Sequence, residues 1–494
     1  MGCIGLIHRR GQLRQKVTIG TLPDDVLLKI FKSFVDTMYF WYLASEKWHT
    51  LVHICRRWRS LVFTSPRHLN LQLLCRPPKR SVKEMLDIWP ELPIYIYDLD
   101  HPTNGAGDNV AAALSLNRRV CRIRLERTSE SAWETFAPLM RHPFPVLTHL
   151  WVQPYLPIEN AISRPFLGGS APCLRDLVLI GVPFPALPEL LLSATNLIHL
   201  WYDDLPPSGY IPPQAMATGL SALTRLESLS LTFLSPRPFS DEPEAIRLPP
   251  PHTHTHFSAL TYIRFWGDPE YIEDLVAQID APLLESMVIT LFHQEVLEVS
   301  QLAKFVRRAD KLSLLDRAEV TFSSSCISVT FSQESLVRVD PKTLILNAVC
   351  PEWDLRLSYL AQFCESCLPT LFPFECLHIH VPLHHMWRYV VEGQDTQWLE
   401  LLRPFNTVKH LHLSKQVAPC IAQALRGLSA RRVMDLLPAL EIIFISGLEG
   451  FGPVKEAISE YSDARQCSGH TVSIHDWEGG VHYVGKQGNG SRGW

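Results

Sequence analysis

The sequence predicts an α/β protein in which a short all-α module at the N-terminus is followed by an irregular solenoid of strand and helix repeats. Three observations lead to this fold class. Two amphipathic helical patterns occupy residues 21 to 62. From residue 120 onward, a short hydrophobic motif recurs at intervals of 23 to 34 residues. Helical patterns fill several of those intervals, so each repeat is expected to combine one strand with one returning helix.

The composition limits the class of protein. Of 494 residues, 46% are hydrophobic and 19% are charged, which excludes a disordered chain. The net charge of -4 attracts neither nucleic acid nor anionic lipid, so we expect no nucleic-acid or membrane partner. No apolar run reaches the ~18 residues of a membrane-spanning helix, and the N-terminus lacks a signal-peptide pattern. We expect a soluble intracellular protein, cytoplasmic or nuclear or both, whose 12 cysteines stay reduced.

The first helical pattern begins at Thr21, which can cap a helix, and Pro23 is tolerated in its first turn. Asp24 and Asp25 follow, where carboxylates favour the positive end of the helix dipole. The apolar residues of this helix form one broad stripe, and they are Val26, Leu27, Ile30, Phe31 and Phe34. A stripe of this kind is expected to pack against another apolar surface.

The second helical pattern covers residues 48 to 62, WHTLVHICRRWRSLV. Its apolar side consists of Leu51, Ile54, Cys55, Trp58, Leu61 and Val62. A module of about 40 residues is small for independent stability, so its remaining apolar surface requires a partner. That partner is either another protein or the rest of this chain, in which case the helices only cap a larger core.

These two segments carry a resemblance to a known family. LPDDVLLKIF (22 to 31) followed by VHICRRWRSLV (52 to 62) resembles the F-box, in particular its fungal members. The F-box binds the Skp-type adaptor of cullin ubiquitin ligases. The resemblance implies that nine residues contact the adaptor, namely Leu22, Pro23, Val26, Leu27, Ile30, Phe31, Val52, Cys55 and Trp58. The chain departs from the short form of the motif at residues 35 to 47, where an aromatic-rich segment is inserted.

The recurring motif has the form L-x-x-L-x-L. The clear copies are VCRIRL (120 to 125), LTHLWV (147 to 152), LRDLVL (174 to 179) and LIHLWY (197 to 202), and looser copies start at 226, 260, 284, 315, 341, 374, 408 and 440. This pattern is typical of a leucine-rich-repeat-like solenoid. Most copies lack the asparagine that follows the leucines in regular members, so we expect a distorted solenoid. TFSSSCISVTFS (321 to 332) predicts an inserted hairpin, and the proline-rich segment 234 to 256 predicts a long surface loop.

The predicted domains follow from these patterns. They are an N-terminal tail (1 to 20), the F-box-like helical module (21 to 66), a linker with a first irregular repeat (67 to 119), the solenoid (120 to 466) and a flexible glycine-rich tail (467 to 494).

Alternation along each predicted strand directs the motif leucines inward and the residues between them onto a concave face. Large aromatic residues beside Arg, His and Asp on that face resemble the composition of interface hot spots. The predicted target-binding residues are His149, Trp151, His199, Trp201, Asp203, Tyr262, Arg264 and Trp266. Alternatively, loops or the C-terminal tail cover these aromatic residues.

The sequence contains no motif of a known catalytic or cofactor site, so we expect no enzyme activity, no cofactor and no metal. Two histidine pairs lie on neighbouring predicted strands, which would place His378 beside His412, but no ligand set at zinc spacing accompanies them. Cys364 and Cys367 form a single C-x-x-C, and two partly buried thiols are the simpler interpretation.

These expectations define two hypotheses. In the first, the chain is a substrate-recognition adaptor of a Skp-cullin-F-box type ubiquitin ligase, with the helical module on the adaptor and the solenoid on a target protein. In the second, the chain is a non-catalytic repeat scaffold with no role in ubiquitination, and its helical N-terminus is only a cap.

Overall fold

The structure is a computed structural model. It describes residues 19–36, 41–75, 84–86, 92–99, 106–162, 164–236, 254–292, 299–322, 326–333, 342–349, 357–358, 360–362, 364–365, 374–381, 395–426, 428, 432–446 and 452–476. Within these ranges, no helix is both long enough and apolar enough to cross a membrane.

The helices alternate with strands along most of the chain. They are α1 (Asp24–Asp36), α2 (Trp41–Ile54), α3 (Arg56–Thr64), α4 (Ala106–Leu114), α5 (Glu130–Leu139), α6 (Leu187–Leu191), α7 (Pro213–Leu220), α8 (Pro269–Val276), α9 (Ser300–Arg307), α10 (Asp395–Leu402), α11 (Ala418–Arg426) and α12 (Gly452–Cys467). Short 3-10 turns occur at Ile19–Thr21, Phe166–Gly169, Pro207–Gly209 and Leu312–Leu314.

The strands form one large sheet and one small one. They are β1 (Leu73–Cys75), β2 (Ile94–Leu99), β3 (Val120–Thr128), β4 (His149–Pro154), β5 (Asp176–Ile180), β6 (His199–Leu205), β7 (Ser228–Phe233), β8 (Thr255–His256), β9 (Tyr262–Gly267), β10 (Ile279–Asp280), β11 (Ser286–Phe292), β12 (Arg317–Phe322), β13 (Cys326–Ser332), β14 (Thr343–Val349), β15 (Cys376–His380), β16 (His410–Leu413), β17 (Ile442–Ile445) and β18 (Ser473–Asp476). Strands β8 and β10 pair with each other, and the other 16 form the large sheet.

The large sheet confirms the strand positions predicted from the leucine motif. Each of the twelve motif copies contains a strand, and eleven of these strands begin two residues after the motif does. Neighbouring strands run parallel except where β13 pairs with β12 and β14. The fold is therefore mixed α/β with a mainly parallel sheet, which is consistent with a repeat solenoid.

The predicted hairpin is confirmed, and it changes the strand order. Strands β12 and β13 pair antiparallel, and β14 returns beside β13. As a result β11 pairs with β14, and β12 pairs with β15, so this three-strand unit lies in the sheet in the reverse of its chain order. The central part of the proline-rich segment 234 to 256 lies outside the described residues.

A single hydrophobic core runs behind the sheet from Cys75 to Val472. Strand residues such as Leu150, Leu177 and Leu200 are almost fully buried in it, and the helices of successive repeats pack side by side over them. Because each repeat covers its neighbour, the core is continuous and no repeat buries its own apolar face alone.

The N-terminal module contains three helices where the sequence pattern indicated two. The helix predicted over residues 48 to 62 is broken at Cys55, whose extended backbone begins α3 and whose Sγ accepts a hydrogen bond from the backbone N of Trp58 at 3.5 Å. Part of the predicted insertion belongs to α2, which starts at Trp41. Residues 37 to 40 lie outside the described ranges.

The module packs on the first strand of the sheet. Its core of Leu27, Phe31 and Val62 continues into Leu73 of β1, and the indole Nε1 of Trp48 donates a buried hydrogen bond to the carbonyl of Gln72 at 3.0 Å. The helices therefore cap the beginning of the solenoid and share its apolar contacts.

The sheet extends beyond residues 120 to 466 at both ends. Strands β1 and β2 lie within the segment 67 to 119, predicted to be a linker and a first irregular repeat, and they extend the sheet to Leu73. At the other end, Ser473–Asp476 forms β18, which pairs parallel with β17 inside the segment predicted to be a flexible tail. Ile474 of this edge strand packs against the core. Residues 477 to 494 lie outside the described ranges.

A buried arginine holds the last repeat together. Arg465 of α12 is fully buried, and its guanidinium donates to four backbone carbonyls at 2.9 to 3.4 Å, those of Leu436, Leu437, Pro438 and Leu440. The guanidinium also donates to the Tyr461 hydroxyl at 3.4 Å. A cation buried among carbonyls fixes α12 to the loop before β17 because its hydrogen bonds replace those of water.

We expect Arg465→Ala to lower the free energy of unfolding by roughly 2 to 4 kcal/mol, because buried carbonyls lose their donor. Urea denaturation measures this change. The control is Arg426→Ala, which removes an exposed ion pair with Glu460 and should have little effect. Equal losses in the two variants would contradict this role for Arg465.

Candidate functional site

The face of the sheet opposite the core, called here the open face, aligns side chains in rows across the strands. Alternate residues of each strand point to it, and the parallel register places equivalent positions beside each other. One row runs Arg122, His149, Asp176, His199 and Ser228, and the next runs Arg124, Trp151, Val178, Trp201 and Ser230. Residues predicted separately from four repeats therefore become direct neighbours.

Two tryptophans meet over the strand between them. The rings of Trp151 and Trp201 lie 6.1 Å apart between centroids, on either side of the buried Val178 of β5. The guanidinium of Arg124 stacks on Trp151 at 4.4 Å from the ring centroid and also pairs with Glu126. We call Arg124, Trp151, Val178 and Trp201 the aromatic patch. Both tryptophans keep part of their surface exposed to solvent.

A carboxylate bridges two histidines beside the aromatic patch. Asp176 accepts from His149 Nε2 at 2.9 Å and from His199 Nδ1 at 2.5 Å, one contact on each oxygen. Burial alone would raise the pKa of Asp176, but the hydrogen bonds and charges of the two histidines outweigh it and hold that pKa well below its usual range. The three side chains are thus fixed in orientation, and the row stays partly exposed.

One predicted contact residue is not on the surface. Asp203 is 6% exposed and accepts a hydrogen bond from Ser230 Oγ at 2.7 Å. Burial raises its pKa to about 6, in spite of the Ser230 hydrogen bond and the nearby charge of Arg264. The backbone of Asp204 has a positive φ of 53°, and the pairing with β7 shifts register here. Asp203 therefore has a structural role in the sheet, and the structure buries it where the sequence placed it on the surface.

The remaining predicted residues lie farther along the open face. Tyr262, Arg264 and Trp266 are all on β9, two strands from β6, with the small side chains of β7 between them. Arg264 is exposed, and Trp266 is exposed to 36%. Within the described residues, no segment covers Arg264 or Trp266. The loop and tail residues that could cover this face, 237 to 253 and 477 to 494, lie outside the described ranges.

A second aromatic row was only partly predicted. His378 and His412 stack face to face with centroids 4.1 Å apart, as their neighbouring strands implied, and Phe444 continues the stack at 4.4 Å. Burial and neighbouring positive charge lower the pKa of His378 to about 3 and of His412 to about 4, so both rings are neutral at physiological pH. The sequence did not indicate that Phe444 lies on the open face, because its strand β17 (Ile442–Ile445) contains only apolar residues.

The described residues contain no group of three or more His, Cys, Asp or Glu side chains arranged to hold a metal. Cys364 is buried, and Cys367, the second cysteine of the C-x-x-C, lies outside the described ranges.

The nine residues that the F-box resemblance implies occupy different environments. Four form the core of the helical module, namely Leu27, Phe31, Val52 and Trp58, with the rings of Phe31 and Trp58 4.6 Å apart between centroids. Leu22 and Val26 are half-buried, and Pro23, Ile30 and Cys55 are exposed.

Helix α1 presents a second apolar face to solvent. Val26, Ile30 and Phe34 recur every four residues, and Ile30 and Phe34 are exposed to 39% and 40%. We call these three residues the α1 stripe. The buried face, with Leu27, Phe31 and Val35, is offset by one residue, or about 100° around the helix. The helix is therefore apolar over more of its circumference than its own core uses.

An arginine sets the position of the α1 N-terminus. Arg57 of α3 donates to the carbonyls of Gly20 and Leu22 at 2.5 and 2.6 Å, and it forms an ion pair with Asp24 at 2.6 Å. These contacts fix the turn that contains Pro23 against α3. The start of the α1 stripe is thus held in place before any partner binds.

We expect Asp176→Asn to lower the free energy of unfolding by roughly 1 to 2 kcal/mol at about pH 6, because both charge-assisted hydrogen bonds weaken. A carboxyl with a depressed pKa stabilises the fold above its unfolded pKa of about 3.9, and that stabilisation is lost as the pH falls through the folded value. The difference between wild type and variant should therefore shrink below about pH 4. Urea denaturation across this pH range measures it.

The control for this experiment is Glu134→Gln, which changes an exposed carboxylate of α5. A difference for Asp176→Asn that stays constant down to about pH 3 would contradict the proposed role of the carboxylate charge.

Comparisons with known proteins define no family for this chain. No family model matches it, and no curated protein matches it. Among solved structures, the chain is similar to the leucine-rich repeat-containing protein LegL7 from Legionella pneumophila, with 11% sequence identity and a TM-score of 0.25. The match covers 80% of this chain and 98% of that chain.

Proposed function

We propose that this chain is a non-catalytic adaptor of a ubiquitin ligase, which docks a Skp-type adaptor through the α1 stripe and holds a target protein on the open face of its sheet. The proposal rests on two separate surfaces of different chemistry. One is apolar and lies on the helical module, and the other is rich in Trp, Arg and His and lies on the solenoid.

The α1 stripe supports docking at the N-terminus. A helical cap that serves only the solenoid needs a polar outer face for solubility. Here Ile30 is 39% exposed on a helix that already buries Leu27 and Phe31. Since exposed contiguous apolar residues mark interaction sites, the extra face favours a protein partner.

The aromatic patch supports target recognition. Trp, Tyr and Arg dominate the binding energy of protein interfaces, and Trp151, Trp201 and Arg124 are already packed against one another. Pre-ordered side chains lose little conformational entropy on binding, which favours affinity. The proposed function requires no catalytic group in this chain.

The second candidate is a repeat scaffold without a role in ubiquitination. It is favoured by the shared core between the helical module and β1, including the hydrogen bond from Trp48 to Gln72. In that case the α1 stripe would bind a different protein or none. The two candidate functions differ in which protein, if any, binds the α1 stripe.

We expect the purified chain to bind a Skp-type adaptor and Ile30→Glu to weaken that binding at least about tenfold, because a charge would replace an apolar contact at the centre of the stripe. Isothermal titration calorimetry measures the affinity. Ile30 is preferred to Trp58 for this test because Trp58 lies in the module core and its replacement would unfold the module.

The matched control is Lys32→Glu on the same helix, which lies away from the stripe. It should leave the affinity nearly unchanged. Failure of the wild-type chain to bind, or equal weakening by both substitutions, would reject the ligase proposal and leave the scaffold.

We expect Trp201→Ala and Trp266→Ala together to reduce the recovery of target proteins that co-purify with the chain from cells, with no change in recovered Skp-type adaptor. Quantitative mass spectrometry of the purified complexes measures both. Tyr155→Ala is the control, because Tyr155 is an exposed aromatic residue outside the aromatic patch. Loss of the folded far-UV circular dichroism spectrum in the double variant would instead assign the two tryptophans a structural role.

A further inference from the structure

A cysteine at the start of β15 lies on the open face between two basic side chains. Cys376 is partly exposed, and the next residue, Leu377, is buried in the core, so the thiol points to the open face. The strand register places Cys376 beside Arg317 of β12 on one side and beside His410 of β16 on the other. We call Arg317, Cys376 and His410 the thiol row.

An imidazole lies within reach of the thiol proton. The Sγ of Cys376 and the Nδ1 of His410 are 3.5 Å apart, which is a hydrogen-bond distance for sulfur. The thiol donates to the neutral ring, and transfer of its proton leaves a thiolate beside an imidazolium. A nucleophile and a base at this separation are the arrangement that activates cysteine for covalent chemistry. The His410 ring meets Phe444 edge-on, at 6.3 Å between centroids and an angle of 77°.

A guanidinium adds positive charge on the other side of the thiol. The charge of Arg317 contributes to lowering the pKa of both His378 and His412, so the guanidinium lies close to this part of the open face. Reactive cysteines occupy partly exposed, electropositive environments, because positive charge stabilises the thiolate. The thiol row has both properties.

The carboxylates beside the thiol row are engaged in ion pairs. Glu319 follows Arg317 by two residues on β12 and pairs with His380 at 3.2 Å. Glu375 precedes Cys376 and pairs with Lys409 at 2.8 Å. Since each negative charge has a cationic partner, these carboxylates oppose a thiolate less than free ones would.

Two other cysteines show the opposite environment. Burial raises the pKa of Cys75 to about 12 and that of Cys121 to about 11, so both stay protonated and unreactive at physiological pH. Cys173 is exposed just before β5 and provides an ordinary surface thiol for comparison. The neighbours of Cys376 thus distinguish it from buried and from plainly exposed thiols.

We propose that Cys376 is a modification site, a thiol that hydroperoxides oxidise to a sulfenic acid. The thiolate attacks one oxygen of the hydroperoxide, so that an S–O bond forms and the O–O bond breaks. The leaving oxygen takes the proton of the His410 imidazolium and departs as water or an alcohol. Sulfur loses two electrons, and the hydroperoxide gains them. This reaction goes beyond the proposed function, because it requires neither an adaptor nor a target.

Alkylation of the reduced full chain measures the reactivity of each thiol. Iodoacetamide is added at about pH 6.5, and peptide mass spectrometry follows Cys376 and Cys173 separately. We expect Cys376 to react at least about tenfold faster, because a thiolate that is about a hundredfold more populated loses roughly tenfold in intrinsic nucleophilicity. With hydrogen peroxide and dimedone added instead, the sulfenic acid adduct should form on Cys376 before it forms on Cys173.

Substitutions in the thiol row test the cause of this reactivity. His410→Gln should slow the alkylation of Cys376 about tenfold and move the rise of its rate to higher pH, because the base is lost. Arg317→Gln should also slow it. The rate of Cys173 should stay the same in both variants, which shows that the fold is intact. The matched control is His475→Gln, which replaces an exposed imidazole of β18 and should leave the rate of Cys376 unchanged.

Three results would overturn the inference. They are equal alkylation rates of Cys376 and Cys173, an unchanged rate of Cys376 in both His410→Gln and Arg317→Gln, and the absence of a dimedone adduct on Cys376 after peroxide treatment. None of these results bears on the α1 stripe or the aromatic patch, so the proposed function stands or fails separately.

Discussion

One constraint determines which side chains lie on the open face of the sheet. Along every strand the side chains alternate between the two faces, and neighbouring strands keep a matched register. Leucines at alternate positions, such as Leu150, Leu177 and Leu200, are buried in a continuous core, so the residues between them must lie on the open face. A shift of one residue in any strand would expose its leucines and bury its polar side chains. The hydrophobic core therefore aligns Trp151 and Trp201 on either side of Val178, and it stacks His378 on His412.

The strand positions were predictable because the alternation appears in the local spacing of the leucines. Departures from the alternation were not predictable from that spacing. The leucine motif located 12 of the 18 described strands, and it placed His378 beside His412. It did not show that β12, β13 and β14 enter the sheet in reverse order, since strand order depends on contacts between distant segments. It also placed Asp203 on the surface, because the positive φ of Asp204 and the register shift beside it leave no signal in the sequence.

The helical module must satisfy two demands with one small core. It has to close the apolar end of the solenoid, which it does through Leu73 and the Trp48 hydrogen bond. It also leaves Ile30 of the α1 stripe 39% exposed, and burial of such apolar surface by a partner stabilises a complex. Arg57 fixes the N-terminus of α1, so little ordering is needed on binding. In this account the module joins the two binding surfaces rigidly, and a partner on the stripe is held in a set orientation relative to the open face.

The central claim is that the chain has two independent binding surfaces, and hydrogen–deuterium exchange of the full chain with and without a Skp-type adaptor tests it most directly. The account predicts slower exchange of amides in Asp24–Asp36 on binding, with unchanged exchange in the strands of the aromatic patch, β4 to β6. Protection of β4 to β6 by the adaptor, or no protection of Asp24–Asp36, would contradict the assignment of the two surfaces to two partners.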